Sequence, residues 1–111
     1  MAFDEGFLAY VSEQCEQLGQ IIVKKMFGGA GLYLDGVLFG FVADSSLYLK
    51  VDDTNKADFE ARGMGPFVFT GKGKPMEMSY FELPEDILDD VDELSTWVNK
   101  AATAYLNSKK K

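Results

Sequence analysis

Residues 32–51 read Leu32-Tyr33-Leu34-Asp35-Gly36-Val37-Leu38-Phe39-Gly40-Phe41-Val42-Ala43-Asp44-Ser45-Ser46-Leu47-Tyr48-Leu49-Lys50-Val51. Asp35-Gly36 stands between two apolar runs, and that dipeptide supplies the positive φ angles of a tight hairpin turn. Asp44-Ser45-Ser46 reverses the chain again. Leu47, Leu49 and Val51 alternate with Tyr48 and Lys50, the period-two pattern of a strand with one buried face. An antiparallel meander follows from these twenty residues. Simple alternation puts Phe39 and Phe41 on one face of the middle strand and Leu38 and Val42 on the other. Gly40, between the phenylalanines, marks a bulge or the close approach of a helix.

Working outward, Ile21 to Phe27 is another strand, β-branched at its start. It runs into Gly28, Gly29 and Gly31, read as a bulge or sharp strand bend. A phosphate cradle there would need a following helix N-terminus, and the next segment is a strand. Before this block, Phe7, Val11, Cys15 and Leu18 recur at helical spacing. Asp4 can cap that helix, and Gly19 is placed to end it. After it, Asp52-Asp53-Thr54 leads into a short helix from Asn55 to Arg62 that Gly63 stops. Phe67 to Phe69 and Met76 to Leu83 are strands, joined by a loop holding Gly71, Lys72, Gly73, Lys74 and Pro75. Pro84-Glu85-Asp86 opens a final amphipathic region through Ile87, Val91, Leu94, Val98, Ala101 and Tyr105, broken near Asp89-Asp90. The order is helix, three or so strands, helix, two strands, helix. It predicts an α+β two-layer sandwich with helices on one face of an antiparallel sheet. One domain, 1–111, is expected, with a frayed basic tail at 108–111.

Composition excludes several kinds of chemistry. The 111 residues include no histidine and one cysteine, which removes the commonest neutral-pH base, Cys-His and Ser-His pairs, and a thiolate metal cage. Cys15 lies on the apolar stripe and reads as a small buried hydrophobe. Met26, Met64, Met76 and Met78 read as core filler. The acidic run from Glu82 to Glu93 reads as a solvated, helix-starting face. No catalytic residue, cofactor site or metal site is predicted. No apolar run approaches the length of a membrane helix, and MAFDEGF has no signal-peptide character, so a cytoplasmic protein is expected. The net charge is −7, and −10 without the three terminal lysines, a field that opposes direct nucleic-acid binding. The local exception is a lysine patch of Lys24, Lys25, Lys72 and Lys74, the candidate interaction surface for an acidic partner or a phosphate backbone. A small-ligand pocket or an enzyme is the remaining alternative.

Lys25-Met26-Phe27-Gly28-Gly29, Gly31-Leu32-Tyr33-Leu34-Asp35-Gly36 and Leu47-Tyr48-Leu49-Lys50-Val51-Asp52 together resemble the N-terminal domain family of TfoX/Sxy competence regulators. The likeness continues through Asn55, Phe59, Gly63-Met64, Pro66-Phe67, Gly73-Lys74-Pro75, Met78-Ser79-Tyr80, Leu94 and Trp97. It spans about Ile21 to Ala104. Ala30 stands where an aromatic residue is common in the family, and Phe81 where a tyrosine is frequent. The resemblance implies an α-β(3)-α-β(2)-α arrangement like that of secretion chaperones. It implies structural roles for Met26, Phe27, Gly28, Gly29, Gly31, Gly36, Gly73, Pro75, Tyr80 and Trp97, and supplies no catalytic residues. It also implies a regulator of DNA-uptake genes that works through protein contacts, here as a stand-alone N-terminal domain, with transcription machinery as the expected protein partner. A sheet covered on one face leaves apolar residues on the other, so a homodimer using a sheet face or edge is expected.

Overall fold

Short polar turns and alternating apolar strands build one six-stranded antiparallel sheet, with strand order β1-β2-β3-β4-β6-β5. The computed structural model describes residues 4–26, 29–69 and 73–109, with the side chain of Met26 excepted. In chain order the elements are α1 (Glu5–Glu16), β1 (Ile21–Met26), β2 (Gly29–Leu34), β3 (Val37–Ala43) and β4 (Ser46–Lys50). Then come α2 (Lys56–Ala61), β5 (Pro66–Phe69), β6 (Met76–Glu82), α3 (Glu85–Leu88) and α4 (Val91–Ser108). The α+β class and the single helical layer agree with the sequence reading. The count differs, because four strands rather than three precede α2. Met26 pairs with Gly29, so β1 and β2 are two antiparallel strands, and Gly29 and Gly31 lie inside β2 rather than at a bend of one strand. Phe27 and Gly28 lie outside the described residues.

The turns behave as their residues dictate. Asp35 and Gly36 have φ of 50° and 88° and join β2 to β3 across the pair Leu34–Val37, the geometry that matches strand twist. Asp4 caps α1 by accepting a hydrogen bond from the Phe7 N–H at 3.1 Å. Its own N–H donates to the Asp44 carbonyl at 2.8 Å, which ties the helix start to the β3–β4 turn. Gly19 does not end α1 in a left-handed conformation. The helix stops at Gln17 in an ordinary right-handed cap, and a Cβ on Gly19 would come within 2.9 Å of the Asp35 carboxylate and the Leu34 side chain. The break near Asp89-Asp90 separates α3 from α4, with Asp90 capping α4. Ser108 belongs to α4 and Lys109 caps it; the last two lysines lie outside the described residues.

A bulge in β3 decides which face each phenylalanine occupies. Leu32 pairs with Gly40 and Tyr33 with Leu38, which leaves Phe39 as an extra residue. Alternation is therefore broken: Phe39 and Val42 enter the helix-side core, and Phe41 points to the opposite face. The expectation that Phe39 and Phe41 share a face is corrected on this point. Gly40 does mark a bulge, and the close neighbour is a strand. A Cβ there would lie 2.3 Å from the Tyr48 carbonyl oxygen.

The main core packs Val11 and Cys15 of α1, Phe59 of α2, Ile87 and Leu88 of α3, and Leu94, Val98 and Ala101 of α4 on one sheet face. That face supplies Leu32, Leu34, Phe39, Val42, Leu47, Leu49 and Phe81. Each leucine, isoleucine, valine or phenylalanine among them contributes about 1.5–3 kcal/mol of burial. Trp97 meets Phe59 edge-on at 4.8 Å between centroids. Two methionines differ from expectation in degree: Met64 is partly buried against the core, whereas Met76 is 61% exposed.

Candidate functional site

The sheet face opposite the helices carries its own aromatic cluster. Phe41, fully buried, lies at its centre, with Ala43 and Tyr80 buried beside it and Tyr48, Phe67 and Met78 packed around them. Phe41 stacks on its cross-strand partner Tyr48 with centroids 5.3 Å apart and planes at 18°. It meets Phe67 edge-on at 4.9 Å and Tyr80 at 5.1 Å, and Tyr48 meets Phe67 at 5.0 Å. Such contacts add about 0.5–1.5 kcal/mol each beyond burial. The rings come from β3, β4, β5 and β6, so only the finished sheet gathers them.

Pairing extends the face outward. Lys24 pairs with Gly31, and Gly31 with Phe41. The Lys24 ammonium sits 5.4 Å from the Tyr33 ring centre, and that of Lys50 sits 5.2 Å from Tyr80. Lys50 pairs with Tyr80 across β4 and β6, and Tyr48 pairs with Glu82. Glu82 accepts a hydrogen bond from the Ser46 hydroxyl at 3.1 Å. Burial pushes the Tyr80 phenol up to about 12 and raises that of Tyr48. Burial also lowers the Lys50 ammonium against the pull of Asp52.

The four lysines singled out from the sequence do not form one patch. Lys24 and Lys25 are on edge strand β1, and alternation sends them to opposite faces. Lys74 precedes β6, four ladders away across the sheet, roughly 19 Å along it at ~4.8 Å per strand. Lys72 lies outside the described residues, as do Phe27 and Gly28. Gly29 closes against β3, where a Cβ would lie 2.1 Å from the Val42 carbonyl. Gly31 is the cross-strand partner of Phe41. Gly36 and Gly73 hold positive φ, Pro75 leads into β6, and Tyr80 and Trp97 pack in the open-face cluster and the main core respectively. Reasoning from the sequence missed Lys50. The available signal was its alternation with Leu49 and Val51, which puts it beside Tyr48 on the face away from the core.

A shallow cleft of about 440 Å³ at the end of β4 is lined by Lys50, Asp52, Asp53, Thr54, Ser79 and Asn107 among others. The Asp52 carboxylate is already engaged there. It accepts from the Thr54 hydroxyl at 2.6 Å, the Thr54 N–H at 2.8 Å and the Asn107 amide at 3.1 Å, bonds that hold its pKa below the usual value. Asn55 braces the same loop from inside. Its carbonyl oxygen accepts from the Asp52 N–H at 2.8 Å, and its amide donates to the Lys50 carbonyl at 3.0 Å.

A profile of the TfoX N-terminal domain matches residues 13–105. The DNA transformation protein TfoX1 of Aliivibrio fischeri is 30% identical over 82 residues, which cover 74% of this chain and 37% of that relative. An uncharacterized 12.7 kDa protein encoded in the trpE 5′ region of Spirochaeta aurantia is 34% identical over 65 residues, covering 59% of this chain and 56% of that protein. The matched region thus spans little more than a third of the first relative and just over half of the second. A profile match running from α1 to the last turns of α4, over the fold described above, places this chain in the TfoX N-terminal domain family.

Proposed function

We propose that this chain is a non-enzymatic regulatory domain of DNA-uptake competence, acting in the cytoplasm through contacts with protein partners of the transcription machinery. The observation that carries the reading is the family match across residues 13–105, joined to a relative named for DNA transformation. The chemistry of the chain supports it, since a sequence without histidine and with a single, buried cysteine offers no imidazole base and no Cys-His or Ser-His nucleophile pair. The test is deletion of the gene in its native host, scored by transformation frequency and by transcript levels of DNA-uptake genes. A tagged copy is used in parallel for quantified capture of partners. Loss of transformation and of those transcripts, restored by the wild-type copy, is the expected result; unchanged transcripts and transformation refute the reading.

For assembly we propose a homodimer formed along the outer edge of β1. This strand pairs on one side only, and Ile22 and Val23 are 44% and 42% exposed there. A twofold contact of this kind continues the sheet and leaves the aromatic face uncovered.

A further inference from the structure

The aromatic face differs from the rest of the molecule in charge as well as in composition. Of the 18 carboxylates, only Glu77 and Glu82 lie in strands. Pairing with Tyr48 sets Glu82 on the open face, where Ser46 engages it; Glu77 alternates to the helix side with Ser79 and Phe81. The other carboxylates are in helices, caps and connections. The two salt bridges among the described residues, Arg62–Asp86 and Lys100–Asp58, both belong to the helical layer. On the open face Lys24 and Lys50 make no ion pair among the described residues and instead lie over tyrosine rings. Glu82 and Asp44 act on the Tyr48 end of this face and Asp52 acts on Lys50, whereas the carboxylates of the helices belong to the other layer and are screened over ~8 Å at physiological salt. The net charge of −7 is therefore not the local balance of the strands on this face, where two lysines stand with Glu82.

We propose that the open face is a platform for single-stranded nucleic acid. Bases stack on the part-exposed rings of Tyr33, Tyr48 and Phe67, and Lys24 and Lys50 meet the phosphates. The chemistry selects this occupant. Rings set on one face of an antiparallel sheet, here on β2, β4 and β5, offer π faces that any unpaired base can use. A duplex keeps its bases stacked inside and has to be held by phosphate contacts alone, for which two lysines are too few. A second copy laid face to face has one carboxylate, Glu82, to answer two lysines, and Ser46 already engages it, so charge complementarity is weaker than with a phosphate chain. The site is distinct from the lysine patch read from the sequence. It shares Lys24 with that patch, and replaces Lys25, Lys72 and Lys74 by Lys50 and three rings. It does not depend on the regulatory reading above.

The probe is a fluorescein-labelled oligothymidylate of about fifteen nucleotides, the span of one sheet-type site, followed by anisotropy against the purified full chain. Saturable binding is expected, at least about tenfold tighter than to a hairpin duplex of equal length. With two phosphates neutralised, the log–log salt slope is expected to be about −1.4. Tyr48→Ala is expected to weaken binding by about tenfold, the loss of one stacking ring. Lys24→Glu, at an exposed position of β1, weakens it as well, and sedimentation of this variant checks that its assembly along β1 matches the wild type. Because Tyr48→Ala removes a ring stacked on Phe41, amide shift mapping on the wild-type protein supplies the second reading, with perturbations expected along β2, β3 and β4. The proposal is overturned by any one of four results: no saturable binding, equal affinity for the duplex, shifts confined to the helical layer, or sedimentation showing a dimer that Tyr48→Ala dissociates.

Discussion

Replacing Asn55 by alanine removes two side-chain hydrogen bonds to the backbone of the loop before α2. Asn55 is 1% exposed and is the one buried polar residue among those described. Its amide bridges the last residue of β4 to the loop before α2, through the Lys50 carbonyl and the Asp52 N–H. Each net bond is worth about 1–1.5 kcal/mol, and water reaches only part of this half-buried loop, so a loss of about 2–3 kcal/mol is expected. For a domain of this size that corresponds to a melting temperature lower by about 8–12 °C. Urea unfolding followed by Trp97 fluorescence is the assay. The indole sits on Phe59, which the braced loop delivers to the core through α2. Asn55→Asp adds a second reading. A carboxylate at this position keeps the acceptor for Asp52 but turns an oxygen toward the Lys50 carbonyl, whereas the protonated acid can donate to it. The acid is then favoured in the folded state, so the folded protein binds more protons than the unfolded one and the variant loses stability as pH rises. It is expected to approach the wild type in acid and to fall well below it at neutral pH. A loss under about 0.5 kcal/mol for Asn55→Ala, with no pH dependence for Asn55→Asp, refutes the reasoning and leaves the loop held by Asp52 and Thr54 alone.

Gly40→Ala places a methyl group 2.3 Å from the Tyr48 carbonyl oxygen, so it has to spread β3 from β4; a loss above about 3 kcal/mol, or failure to fold, is expected in a solubility and melting assay. Cys15 is buried and its thiol is pushed up to about 12, so it should react with a thiol reagent no faster than the protein unfolds. The same shift lets the unfolded thiol lose its proton first above about pH 9, so native stability falls with rising pH there, and Cys15→Ala should show a shallower fall. Sedimentation equilibrium at tens of micromolar is expected to give twice the 12.3 kDa chain mass, reverting to the monomer in Ile22→Lys/Val23→Lys; a wild-type monomer with no concentration dependence removes the edge-paired dimer.

Most of the fold was legible because local chemistry and global packing agree along the chain. Asp35-Gly36 has one efficient conformation between two strands, and Asp4 and Asp90 cap the helices that their positions announce. The stripes of α1 and α4 and the alternation of Leu47, Leu49 and Val51 point the same residues to the core that the structure buries. Three features came only with tertiary structure. The extra residue in β3 inverts the parity of Phe41, because a bulge is defined by the partner strand and cannot be seen in one strand's pattern. The aromatic face joins residues up to 47 positions apart, from Tyr33 to Tyr80; period two says which side each ring takes, and only strand order says which rings meet. Net charge is additive along a sequence, whereas its field depends on where helices and strands put each group, and here the sheet carries lysines on the face that the acidic helices do not cover.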